Sequence, residues 1–93
     1  MYGTVARMRV RSENRPALRA VVEAQTQPGI PGMITSFVLW EDGGDVAWLF
    51  AVFEDRDAYE RNADDPAQHQ RYLEYRALLD DEPEWHDGEI EQA

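Results

Sequence analysis

The chain has 93 residues and a net charge of −10, with nineteen acidic residues against nine basic ones, so a phosphate backbone or an anionic membrane is an unfavourable partner. The hydrophobic fraction of 43%, with three Trp, four Tyr and three Phe, excludes a disordered chain despite 30% charge. There is no cysteine, hence no disulfide or thiol chemistry, which fits a cytoplasmic protein. No signal-like segment and no run long enough to cross a membrane is visible, and one domain over 1–93 is expected. All nine basic residues are Arg, a pattern shared by guanidinium anion sites and GC-rich codon usage.

Thr4 to Arg11 alternates at strand period, with Ala6, Met8 and Val10 on one face and Val5, Arg7 and Arg9 on the other. Asn14 is placed to cap a helix with Pro16 in its first turn and Leu18, Val21 and Val22 as its apolar stripe. The segment from Gln27 to Gly32 contains two prolines and two glycines and breaks the chain. Met33–Trp40 and Val46–Glu54 form two strands around the turn signal Glu41-Asp-Gly-Gly-Asp45. Asp55 caps a short helix through Tyr59. Asp65-Pro66-Ala67-Gln68 has the pattern of a capping box opening a helix to about Leu79. Trp85 to Glu91 reads as a last strand. The order β-α-β-β-α-β is the ferredoxin-like arrangement, an α+β fold on a four-stranded antiparallel sheet.

A symmetric central hairpin puts Ile34, Val38, Trp40, Val46, Trp48, Phe50 and Val52 on one face and Phe37, Leu39, Ala47, Leu49, Ala51 and Phe53 on the other. Both faces are apolar, and helices in this topology cover only one. A second copy of the sheet is the economical cover for the other, so a homodimer is expected.

The stretch Trp48-Leu-Phe-Ala-Val-Phe-Glu-Asp-Arg-Asp-Ala-Tyr59, the later Gln68-His69, and Glu84-Trp-His-Asp-Gly88 resemble the antibiotic biosynthesis monooxygenase (ABM) family, as does Pro31-Gly32-Met33 before the second strand. The resemblance covers essentially the whole chain. It implies a dimeric α+β barrel and, for a catalytic member, a cofactor-independent monooxygenase acting on an aromatic or polyketide-like molecule. The alternative is a dimeric binding or accessory protein without turnover. Anthrone-oxidising members carry an Asn and a Trp on the third strand and a Tyr at the following helix. This chain has Leu49, Phe53 and Tyr59 at those positions. The Asn, Trp and axial His of haem-degrading members fall at Met8, Asn62 and Tyr72, so the resemblance implies no haem.

His69, Tyr72 and Arg76 lie at i, i+3 and i+7 of the long helix, a titratable base, a phenol and a cation on one stripe. With Tyr59 they are the candidate catalytic set. Phe37, Leu39, Leu49 and Phe53 are the candidate apolar floor for an aromatic small molecule. Trp85-His86-Asp87 makes a poor base–carboxylate dyad, because neighbours in a strand point to opposite faces. The acidic run Asp80, Asp81, Glu82 and Glu84 lacks metal-ligand spacing, and neither metal nor cofactor is expected.

Overall fold

A computed structural model of the protein describes residues 1–26 and 29–93. The elements are β1 (Tyr2–Arg9), a 3-10 turn (Ser12–Asn14), α1 (Arg15–Thr26), β2 (Met33–Trp40), β3 (Val46–Phe53), α2 (Arg56–Asp64), α3 (Pro66–Arg76) and β4 (Glu84–Glu89). The four strands form one antiparallel sheet in the order β2-β3-β1-β4. The expected break from Gln27 to Gly32 includes Gln27 and Pro28, which lie outside the described residues. Within its later part, Gly32 adopts φ +81° and its carbonyl accepts from the Glu54 amide at 2.9 Å. A side chain there would bring its Cβ to 2.6 Å from that of Ala58, so glycine lets β2 start beneath α2.

The α+β order and the antiparallel sheet are those read from the sequence. The barrel is not: the sheet is open, and β2 and β4 are its two edges. A closed barrel that can hold side chains takes about eight strands, and four leave the ends apart.

The face assignment of the central hairpin also changes. Phe37 pairs with Phe50, Val38 with Leu49, Leu39 with Trp48 and Trp40 with Ala47. Odd positions on β2 therefore share a face with even positions on β3, not with odd ones. The turn sets this offset, closing with the Glu41 amide donating to the Val46 carbonyl at 3.1 Å. A further register shift lies between Met33 and Thr35. One sheet face is thus Val38, Trp40, Ala47, Leu49, Ala51 and Phe53, continued on β1 by Ala6 and Met8, and the helices cover it. The other carries Phe37, Leu39, Trp48, Phe50 and Val5, and no element of the described chain packs over it; Phe37 is 62% and Leu39 58% exposed.

Helix ends follow local chemistry with two departures. Asp55 caps α2, accepting from the Ala58 amide at 2.8 Å, and Asp65 caps α3, accepting from the Ala67 amide at 2.9 Å, with Pro66 at the first turn. Gln68 does not complete a capping box; its side chain turns to Asn62 and Arg71. Asn14 likewise does not cap α1 but donates to the Leu78 carbonyl at 3.2 Å, pinning the start of α1 to the turn after α3. The core falls into two clusters. Met8, Val10, Leu18, Ala47, Tyr75 and Leu79 pack under α1 and α3, and Ala51, Phe53 and Ala58 pack under α2.

Candidate functional site

Between these two clusters the helices stand off the sheet and leave a cavity of about 450 Å³. That volume lies in the range of small-molecule sites, ~300–1,000 Å³. Its floor is β3 and β1, through Leu49, Ala51, Phe53 and Thr4, and β4 adds Trp85 and Asp87. α1 closes one side through Val22 and Gln25. α2 and α3 close the other with the polar groups Tyr59, Asn62, Gln68, His69, Arg71 and Tyr72. The result is an apolar floor under a polar wall.

Five of the eight residues expected at a site meet here: Tyr59, His69, Tyr72, Leu49 and Phe53. Phe37 and Leu39 do not, because the hairpin register sends them through the sheet to its open face. Arg76 does not line the cavity either. It pairs with Glu82 at 3.2 Å and donates to the Leu79 carbonyl at 3.3 Å, at the far end of α3. His69 is exposed at the rim, its ring stacked at 6.4 Å on that of Tyr72.

Two phenols in the wall have carboxylate partners. The Tyr59 hydroxyl donates to Asp87 Oδ1 at 2.9 Å, joining α2 to the edge strand β4. Burial, then the hydrogen bond and charge of Asp87, pushes the Tyr59 phenol up to about 12. The Tyr72 hydroxyl donates to Glu82, which raises the phenol above its usual range and holds the Glu82 carboxyl below the usual carboxylate range. Tyr75 is deeper, 3% exposed, and its hydroxyl has no hydrogen-bond partner among the described residues. Desolvation drives that phenol well above the ordinary tyrosine range. At neutral pH all three phenols are therefore protonated, each a neutral hydroxyl rather than a base.

Three contributors escaped the sequence reading: Arg71, Gln68 and Asp87. The stripe of α3 that faces the sheet is Gln68, Arg71, Tyr72 and Tyr75, rotated from the expected His69, Tyr72 and Arg76. The burial of Tyr75 fixes which way α3 is turned, and Leu79, just past the helix, is buried with it. Asp87 and His86 do point to opposite faces, as strand geometry requires. Asp87 meets Tyr59, and His86 meets Glu84 at 2.9 Å. Among the described residues no group of three or more His, Asp or Glu is placed to hold a metal ion, and no helix is long and apolar enough to cross a membrane.

The same architecture recurs in solved structures. A variant of SnoaB, a cofactor-independent oxygenase from Streptomyces nogalater, superposes with a TM-score of 0.81 at 24% identity, covering 99% of this chain and 94% of that one. Rv0793 from Mycobacterium tuberculosis gives 0.78 at 21%, covering 99% and 97%. A candidate antibiotic biosynthesis monooxygenase from Chloroflexus aurantiacus gives 0.72 at 20%, covering 99% and 96%. No protein-family model and no curated protein sequence matches the chain. The chain thus has the fold of the ABM-type proteins that its sequence resembles, over nearly its full length.

Proposed function

We propose that the protein binds an aromatic or polyketide-like molecule in the helix-side cavity and oxygenates it with O2 and no cofactor. The observation that carries this reading is the cavity itself, a flat apolar floor of Leu49, Ala51 and Phe53 facing Tyr59, His69 and Tyr72. The fold shared with SnoaB supports it. In the reaction, an activated CH2 of the substrate loses a proton and the carbanion reacts with O2. One oxygen atom ends as a carbonyl and the other leaves as water. His69 is the imidazole in the cavity wall, and a ring nitrogen of it takes that proton. Tyr59 and Tyr72 orient the substrate oxygen.

A second reading, a binding protein without turnover, is favoured by one feature: Leu49 and Phe53 offer no hydrogen bond to a developing oxyanion. O2 uptake with anthrone, without added flavin, haem or metal, separates the two. Uptake above the rate of spontaneous anthrone oxidation, lost in Leu49→Trp, supports oxygenation. Binding of anthrone with uptake no faster than the protein-free rate leaves only the binding reading.

A homodimer belongs to the same proposal, in a cytoplasmic setting that the cysteine-free sequence favours. Phe37, Leu39, Trp48, Phe50 and Val5 form a continuous apolar patch on the open sheet face. Soluble monomers rarely expose such a patch, and a second copy of this face covers it.

A further inference from the structure

The chain is strongly acidic, and most of its arginines are accounted for by near neighbours. Arg9 pairs with Asp45 and Asp81, Arg11 with Asp80 and Glu13, Arg56 with Glu60 and Arg76 with Glu82. Arg15 and Arg19 lie over the ring of Trp40. Arg71 differs. It lines the cavity, is partly buried, and makes no ion pair among the described residues.

It is nevertheless held in place. Its Nε donates to Gln68 Oε1 at 3.0 Å, and one terminal nitrogen donates to Asn62 Oδ1 at 2.9 Å. Asn62 Nδ2 donates to Gln68 Oε1 at 3.2 Å, so the two amides brace each other across the α2–α3 junction. Both partners are neutral. They fix the plane of the guanidinium without cancelling its charge, and a guanidinium has five N–H donors, most of which remain for a ligand. A carboxylate at either position would have neutralised the cation at no steric cost, and amides stand there instead. Asn62 and Gln68 therefore hold the guanidinium in one orientation and leave its charge uncompensated.

We propose that Arg71 anchors an anionic group of the ligand, and that the cavity is built for an aromatic carboxylate. This deepens the reading of the cavity as an aromatic site and rests on it. The fork of the guanidinium matches two carboxylate oxygens, while the apolar floor takes the ring system. The anchoring works against the field of a chain with net charge −10, so the preference for an anion is a local property of this residue and its two amides.

The test compares 2-naphthoate with 2-naphthamide, which share a ring system and differ in charge, by calorimetric titration of the wild-type protein. The expected result is ~10-fold tighter binding of the carboxylate, the scale of one charge-assisted interaction. That preference disappears in Arg71→Met and is partly kept in Arg71→Lys, while Arg56→Met, at a residue that does not line the cavity, leaves it intact. If Arg71→Met does not fold, Gln68→Ala serves in its place, and releasing the guanidinium must then weaken the preference. Equal binding of both compounds to the wild type overturns the anion anchor and leaves the aromatic cavity standing. A preference that survives Arg71→Met overturns it as well. Binding of neither compound overturns both.

Discussion

Replacing Tyr75 by Phe should make this protein more stable. The side chain is 3% exposed and packs edge-on to Tyr72, with ring centroids 5.5 Å apart at 84°. Phe keeps that ring, its contacts in the core cluster with Met8 and Leu18, and its volume less one oxygen. The variant loses only a hydroxyl that is buried without a partner among the described residues. Such a group carries its desolvation cost uncompensated, about 1–3 kcal/mol. Removing it should therefore raise the unfolding free energy by about 1 kcal/mol or more, ~4–8 °C in Tm for a chain of this size. The assay is urea unfolding of wild type and Tyr75→Phe at one protein concentration, because self-association would otherwise shift both curves. The midpoint should move up with an unchanged slope. Tyr75→Ala provides the contrast, since it removes the ring as well and should cost about 3–5 kcal/mol. A Tyr75→Phe midpoint lower by ~1 kcal/mol would refute the reasoning. It would mean that the hydroxyl is satisfied in solution by a bound water and belongs to a polar network.

Two further outcomes follow from the same geometry. The Tyr59 phenol is raised to about 12 in the folded protein against ~10 unfolded, so its contribution to stability is complete below about pH 10 and is lost as pH rises from there towards 12. Urea unfolding across that interval should show a shallower decline for Tyr59→Phe than for wild type, and parallel declines would discount the burial of this phenol. Phe37→Asp puts a charge on the open sheet face without touching the helix side. Sedimentation at micromolar concentration should show the wild type as a dimer and the variant as a monomer, and a monomeric wild type would end the dimer proposal.

How much of this was legible in the sequence depends on the range of the interaction that decides it. Strand period gave β1 with its buried Ala6, Met8 and Val10, and proline and acidic caps gave the starts of α2 and α3, because each is settled within a few residues. The ferredoxin-like order followed from those elements in sequence. Capping by Gln68 and Asn14 did not, since both side chains are drawn to partners supplied by packing, Gln68 to Asn62 and Arg71 and Asn14 to the Leu78 carbonyl. The hairpin shows the limit most clearly. A single residue of register, set by how the Glu41–Val46 turn closes, moves Phe37 and Leu39 from the cavity floor to the open face, and alternation alone is blind to that offset. The rotation of α3 is of the same kind. Burial of Tyr75 and Leu79 against the sheet turns Arg71 into the cavity and leaves Arg76 to Glu82, and only the packed structure chooses between these two arginines on different faces of α3.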